Sequence, residues 1–456
     1  MKNESHIKGN ANIVIQNVTD STITLNIDGE IQEVRNQLVE LKALLQSLKI
    51  QKIQYAEKMY NIEHINEANF GFWIGKKVFN EHLTKTLVLA IQPHCSPAQR
   101  FLQKVKNRPD WESEQRISNK AKEILAYSFV GVIGIQFGKL MAIGKESFSE
   151  TKQRKYIKKC LYIVKQTLNL VNFVLLSHLW DKQKTNPIPS ISNSQKQVLS
   201  QRFDNAFESS IEEQFQLLKT LHTLFTQNNL HFPIEELSSF SSYLQIKSDF
   251  YEVCQSLQQL NRQLDKAQYN LLDCFKAETL LTSFFGFFPF LVEYRMASIK
   301  RIAYRQIRHD EPHYLHRYTA LGIDSKANVD AEKVIYTPKT IYTDAVLFYK
   351  GENYWNSTNL FPFVIDYNAL TFEYGAKICF YHAQSMDGDR DCLEYNFLED
   401  NSILHIESTG VLKPDMDYNE WMVNEEKRQQ LNLDCVVVGF QKARKTVLDE
   451  LDFEET

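Results

Sequence analysis

The periodicity of the sequence changes from helical to β-like in the last third of the chain, and this change limits the possible folds more than any other feature. Between about residues 73 and 307 the chain favours helices, because its long apolar segments lack strong helix breakers apart from a few glycines. Beyond about residue 324, short runs of β-prone residues alternate with turn residues, which is typical of strands. Strands are predicted at residues 333–336, 345–349, 361–366, 377–381, 393–397, 402–406 and 435–440.

A chain of 456 residues is too long for one ordinary core, so two or three domains are expected. The sequence predicts an α+β multidomain protein. It has a short N-terminal β-hairpin followed by a coiled-coil-like helix, then a large all-α helical body, then a β-rich C-terminal domain. The predicted boundaries place these three parts at residues 1–66, 67–320 and 321–456.

The N-terminal part contains two short apolar patterns. Residues 12–18 and 21–27 alternate apolar with other side chains, which predicts a hairpin with one apolar face. From residue 31 to 48, apolar residues recur at steps of three and four, which predicts a helix with a narrow apolar stripe. A helix this short is weak alone, so packing onto the main body and association with a partner are both open. The predicted partner-binding residues are Ile13, Ile15, Ile23, Leu25, Val34, Leu38, Leu41 and Leu45.

Charge and cysteine usage narrow the class of protein. A net charge of −4 gives no global basic signal for nucleic acid, although a local basic patch is compatible with it. The seven cysteines are scattered and never spaced as CxxC, which argues against a disulfide framework or a zinc knuckle. The polar N-terminus has no apolar core of a secretory signal. We therefore expect a cytoplasmic protein.

Three apolar segments are candidate membrane spans, at residues 125–144, 160–180 and 280–294. Each is short, interrupted or interspersed with polar residues, whereas a spanning helix needs about 20 largely uncharged residues. We predict that all three are buried core helices. The alternative is that residues 280–294 and 125–144 are released on activation and perturb a membrane. The glycines within residues 131–140 are predicted to permit close helix packing, because their spacing does not match a phosphate-binding loop.

Common catalytic signatures are missing from the sequence. It has no Walker A motif, no GxSxG elbow, no HExxH and no kinase signature. His94 and Cys95 are adjacent, but adjacency in sequence does not make a catalytic dyad. Asp387, Asp389 and Asp391 alternate in one loop, but the glycine and glutamate of a calcium loop do not follow. The sequence therefore predicts no cofactor and no metal site.

The densest polar cluster is RQIRHDEPHYLHRY, residues 305–318. Arg308, His309 and His313 match the form R-[N/H/D]-x-x-x-H and resemble the catalytic motif of HEPN ribonucleases. The resemblance implies a helical bundle that cleaves RNA without a metal. Arg308 would stabilise phosphate charge, and His313 would move the proton of the attacking hydroxyl. Pro312 departs from the family's helical motif, and a basic, solvated connector is the competing interpretation. A zinc site on the three histidines of this segment would also need a continuous helix.

The front end of the chain carries a second resemblance. NIVIQNVTDSTITLNIDGEI and AEKMYNIEHINEANF resemble the short N-terminal modules of bacterial conflict and immune proteins, which are death-like or effector-associated. The resemblance implies that the module binds a similar module on another protein chain. The partner would be a protease, an NTPase or another effector with a similar front end, or a second copy of the chain.

Together these observations favour a non-enzymatic adaptor, sensor or effector of a bacterial anti-phage defence system, or a protease target within it. An HEPN-like ribonuclease toxin, with RNA as its partner, is the first alternative. A membrane-perturbing effector, which meets the membrane only after activation, is the second.

Overall fold

The structure is a computed structural model that describes residues 79–107, 111, 114–147, 149–185, 191–204, 208–267, 269–322, 332–337, 343–352, 356–387, 390–408 and 425–448. The chain is α+β, as predicted, with a large helical body and two antiparallel sheets in the C-terminal region. The predicted N-terminal module and its eight partner-binding residues lie outside the described residues.

The helical body contains nine α-helices among the described residues, joined in places by short 3₁₀ turns. Its helices are α1 (Glu81–Ile91), α2 (Ser96–Val105), α3 (Gln115–Ser128), α4 (Gly131–Lys145), α5 (Glu150–Thr185), α6 (Asn193–Phe203), α7 (Ile211–Gln227), α8 (Asp249–Asp265) and α9 (Leu271–Phe285). Capping residues explain several of these starts. Ser192, Ser210 and Asn270 each form a capping box that satisfies free backbone N–H groups in the first turn.

Helix α5 lies at the centre of the body, with α4, α7, α8 and α9 packed around it. It is the one helix in the described part of the chain that is long and apolar enough to cross a membrane, and 94% of its most apolar window is buried inside the protein. The predicted burial of residues 160–180 is therefore confirmed. A membrane-perturbing activity that used this helix would require it to leave the core.

Glycines let α3 and α4 approach each other closely, as predicted for residues 131–140. A Cβ atom on Gly134 would lie 2.1 Å from the carbonyl oxygen of Ala126 in α3. A Cβ atom on Gly131 would lie 1.9 Å from the carbonyl oxygen of Leu321. Real Cβ contacts are much longer, so only glycine fits at these two positions.

A buried carboxylate fixes the start of α1. Glu278 of α9 accepts the backbone N–H of Asn80 at 3.0 Å and that of Leu83 at 3.3 Å, together with the hydroxyl of Tyr156 at 2.6 Å. Burial raises the pKa of Glu278, and these hydrogen bonds counter only part of the increase. Glu278 thus ties three helices together through backbone groups that would otherwise lack partners.

Two antiparallel sheets follow the helical body. The first has the strand order β3-β2-β1-β4-β5 and the second the order β6-β7-β8-β9. The strands are β1 (Tyr294–Arg305), β2 (His313–Ala320), β3 (Glu332–Thr337), β4 (Val346–Lys350), β5 (Thr358–Asn359), β6 (Val364–Asp366), β7 (Ile378–Asp387), β8 (Arg390–Phe397) and β9 (Ile403–Glu407). Helix α10 (Tyr367–Leu370) follows β6, and helix α11 (Glu425–Leu448) follows β9.

The prediction of helix up to residue 307 is wrong at its end, because β1 already begins at Tyr294. Its segment lacks glycine and proline, so nothing in the local sequence excludes a helix. Pairing with β2 on one side and β4 on the other makes it a strand.

The predicted strand at residues 435–440 is also wrong, since these residues lie within α11. Its apolar run is β-prone but short, and such a run does not distinguish a strand from a buried helix. The helical period appears only over a longer stretch, in the buried residues Val436, Val437, Phe440, Ala443 and Val447.

The main core is continuous from the helical body to the second sheet and α11. Phe173 of α5 stacks on Phe363 with ring centroids 5.5 Å apart. Phe440 of α11 contacts Phe203 of α6 at 5.5 Å and Tyr381 of β7 at 4.5 Å. The division into domains at residue 320 stays a prediction, but buried side chains from both sides of that position share this core.

Candidate functional site

The polar cluster singled out in the sequence forms a β-hairpin. Strand β1 ends at Arg305, a turn follows, and β2 begins at His313. Arg308 lies in the turn with a φ of +45°, and the Nδ1 atom of His313 donates a hydrogen bond to the Glu311 carbonyl at 2.9 Å. The helical motif that the HEPN resemblance implies is therefore replaced by a hairpin. The continuous helix that a three-histidine zinc site would need is absent here as well.

Strand register places three arginines and a histidine of the hairpin on one face. Arg301 is directly opposite Arg317, and Arg305 is directly opposite His313. Residues four apart on a strand share a face, so these four side chains form one surface, the basic face. Arginines directly opposite each other destabilise a sheet through repulsion. Both Arg301 and Arg317 are exposed, and neither forms an ion pair with the residues that the structure describes.

A β-bulge explains why Arg301 lies on this face. The register between β1 and β2 shifts between Ile299 and Arg301, so that Lys300 is an extra residue in β1. Simple alternation would send Lys300 and Arg301 to opposite faces. The bulge brings both to the same pocket, because bulges redirect side chains in this way.

The other face of the hairpin is aromatic. Tyr304 is directly opposite Tyr314, and their ring centroids are 5.6 Å apart. On the same face His316, opposite Ile302, is buried. The hairpin thus separates a cationic surface from an aromatic one.

A pocket of about 170 Å³ lies beside the basic face, and we call it the hairpin pocket. The first sheet contributes Lys300, Arg301 and Arg317 to its lining. The segment that follows β6 contributes Asn368, Phe372, Glu373 and Tyr374.

A buried ion pair joins the two sides of the hairpin pocket. Lys300 pairs with Asp366, which is fully buried and also accepts the hydroxyl of Ser298 at 2.6 Å. The other oxygen of Asp366 accepts the backbone N–H groups of Asn368 at 3.2 Å and Lys377 at 2.8 Å. Asp366 therefore neutralises Lys300 and caps α10 at the same time. The charges left for a ligand in this pocket are those of Arg301 and Arg317, opposed by the exposed carboxylate of Glu373.

Residues 371–376, which we call the aromatic loop, are held from behind while two of their rings stay exposed. The side chain of Asn368 donates to the Tyr374 carbonyl at 2.6 Å, and Gln429 of α11 donates to the Thr371 carbonyl at 3.0 Å. Tyr374 is nevertheless 76% exposed and Phe372 is 38% exposed. Phe372 also has a φ of +61°, a conformation that costs a residue other than glycine about 1 kcal/mol or more.

Two candidate clusters that the sequence argues against, His94–Cys95 and the aspartates of residues 387–391, lie elsewhere in the fold. His94 pairs with Glu293 at 2.5 Å, whereas the Cys95 thiol donates to the Ser128 hydroxyl at 3.1 Å, so these neighbours have separate partners. Asp387 ends β7 and Asp391 lies in β8, while Asp389 is outside the described residues. Among the described residues, no three His, Cys, Asp or Glu side chains are placed to hold a metal ion.

Sequence reasoning missed Arg301, Arg317 and the aromatic loop. A signal was present, since Arg301 and Arg305, like His313 and Arg317, are four residues apart. This spacing shows a common face only if both segments are strands. Searches against protein-family models, curated proteins and solved structures found no match to this chain.

Proposed function

We propose that this chain is a non-enzymatic, cytoplasmic component of a bacterial defence system that binds nucleic acid through its basic face. The observation that carries the nucleic-acid part is the Arg301–Arg317 pair, two exposed cations directly opposite each other without a carboxylate between them. A bound phosphate would convert their repulsion into attraction. In this proposal residues 1–66 recruit the protein partner, which rests on the resemblance of the front end.

The length of the basic face favours a polyanion over a small ion. The Arg301–Arg317 pair and the Arg305–His313 pair are four residues apart along the hairpin, which is roughly 13 Å. Each strand of a DNA duplex carries one phosphate about every 3.4 Å of helix axis. The arginines of these two pairs can therefore follow several phosphates of one strand, whereas a single small anion would reach only one end of the face.

Fluorescence anisotropy with a labelled RNA of about 20 nucleotides tests this proposal over a range of salt concentrations. The variant R301Q/R317Q should raise Kd roughly 10- to 100-fold, or about 0.7–1.4 kcal/mol for each arginine. The slope of log Kd against log salt should fall by about 2, because each lost phosphate contact lowers it by about 1. The melting temperature should not fall, since the substitution removes repulsion.

The matched control is R100Q/R116Q, which makes the same charge change at two exposed positions of the helical body. It should leave Kd and the salt slope near the wild-type values. Equal effects of the two double variants, or no binding by the wild type, would refute the proposal.

A metal-independent ribonuclease remains the second candidate, because His313 lies on the basic face opposite Arg305. The same RNA, incubated with the protein in EDTA, would be cut into fragments by an active enzyme. H313A and R308A should each abolish this cleavage. Cleavage that survives H313A would remove the assignment, and intact RNA bound by the wild type would favour the non-enzymatic function.

A further inference from the structure

We infer that the hairpin pocket receives an unpaired base, so that the ligand of the basic face is single-stranded nucleic acid. This inference rests on the proposed function and names its substrate class. Cations and exposed rings meet at this pocket, with Arg301 and Arg317 on one side and Phe372 and Tyr374 on the other.

The arginine side of the pocket can bind the phosphate of a nucleotide, and the aromatic side can bind its base. Phosphates are attracted by the arginines, whereas the exposed carboxylate of Glu373 repels them from the side of the aromatic loop. Aromatic rings stack on bases whatever their sequence, and such stacking contributes about 1–3 kcal/mol per base. The arrangement therefore places the backbone along the hairpin and a base toward Tyr374.

The aromatic loop is prepared for this contact before a ligand binds. Tyr374 is the most exposed large hydrophobic side chain among the described residues. Its backbone is nevertheless fixed by Asn368, and the neighbouring Thr371 carbonyl is held by Gln429. A fixed backbone means that little conformational entropy is lost when a base stacks. The left-handed conformation of Phe372 is a further sign of a loop held in a particular shape.

The side-chain amide of Asn368 helps to hold the aromatic loop in place. The Oδ1 atom of Asn368 is buried and has no hydrogen-bond partner among the described residues. The orientation of this amide is fixed, because its nitrogen donates to the Tyr374 carbonyl.

The volume of the hairpin pocket limits the size of the ligand group that can enter it. At about 170 Å³ it is smaller than the roughly 300 Å³ at the lower end of sites for drug-sized ligands. One flat ring system is therefore a better fit than a whole dinucleotide. A base within a duplex is already paired and stacked, so its face is not available to Tyr374. An acidic peptide would use the arginines but would gain nothing from the rings.

Three ligands with the same number of phosphates separate these cases in anisotropy measurements on the full chain. They are a single-stranded oligocytidine, the same strand with abasic positions, and a duplex. The wild type should bind the oligocytidine at least fivefold more tightly than either of the others. Y374A should remove this advantage, a loss of roughly 5- to 150-fold, and leave the abasic strand and the duplex unchanged. Y374F should behave as the wild type.

Y304A is the matched control, because Tyr304 is an exposed tyrosine of the same hairpin on the opposite face. It should leave all three affinities unchanged.

The outcomes distinguish the two proposals. If R301Q/R317Q weakens all three ligands while Y374A weakens none, the inference fails and nucleic-acid binding stands. If no nucleic acid binds, both fail. If polyglutamate binds as tightly as RNA and in an arginine-dependent way, the ligand is an acidic peptide, and both proposals are overturned in favour of that class.

Discussion

At the scale of single residues, burial changes the chemistry of titratable groups far from the candidate site. His82 of α1 is 8% exposed, and burial, together with the nearby charge of Lys85, lowers its pKa to about 4. In the unfolded chain the same imidazole accepts a proton at about pH 6.5. Between these two values only the unfolded chain is protonated at this position, so acid favours unfolding through His82.

We expect this group to lower the free energy of unfolding by up to about 3 kcal/mol as the pH falls from 7 to 4. Urea unfolding of the wild type and H82L at pH 7.5, 5.5 and 4.5 measures the difference. The variant should lose stability less steeply with acid. H309Q, which alters an exposed histidine in the hairpin turn, should follow the wild-type curve. Parallel curves for the wild type and H82L would contradict the prediction.

The density of polar residues alone singles out the segment 305–318. This segment forms the turn and most of the second strand of the hairpin. The density of polar residues does not identify Arg301 or Arg317 as partners. Their pairing depends on the register of β1 against β2 and on the bulge at Lys300. A shift of one residue would send every side chain of the strand to the other face, and local sequence does not specify that shift.

At the scale of elements, close packing of α3 against α4 depends on Gly134. We expect G134A to lower the free energy of unfolding by about 1–3 kcal/mol, because its Cβ would overlap the backbone of Ala126 and force the helices apart. Urea unfolding at pH 7.5 measures this change.

The matched control is a substitution at Gly322, because a Cβ atom added there would have no neighbouring atom within 4 Å. G322A should change stability by less than about 0.5 kcal/mol. Similar losses for both variants would show that the effect is a general property of glycine replacement and does not come from helix contact.

Two elements show the limit of local patterns. Residues 294–305 were predicted to be helical and form a strand, whereas residues 435–440 were predicted to be a strand and form part of a helix. In both cases the short segment is compatible with either structure. Partners distant in sequence decided the outcome, namely β2 and β4 for the first, and the core around Phe203 and Tyr381 for the second.

At the scale of the whole molecule, we propose that the basic face binds the ligand and that the front end recruits a partner. The heptad positions that would recruit a partner lie outside the described residues, so they remain a sequence-based prediction. The hairpin lies on a body whose core is continuous from α1 to α11. We expect a substitution in the front end to leave the proposed nucleic-acid site intact.

We expect L38E/L41E to abolish association, because two charges within a narrow apolar seam cannot be buried without a large cost. Sedimentation velocity reports the assembly state, and circular dichroism reports the fold. The affinity for RNA per chain should stay within about twofold of the wild type once avidity is removed. A double variant that assembles like the wild type would contradict the recruitment role of this helix, and E40Q, off the seam, serves as the control.

The sequence by itself determined the α+β class, the helical character of the body before β1 and the burial of the long apolar segments. These properties follow from hydrophobic periodicity and segment length, which each stretch of chain carries locally. Only the tertiary structure decided that residues 294–305 form a strand, that Arg301 is opposite Arg317, and that the aromatic loop closes a pocket beside them. Register, bulges and contacts between distant segments result from the packing of the whole chain, and no local pattern specifies which distant partner a segment meets.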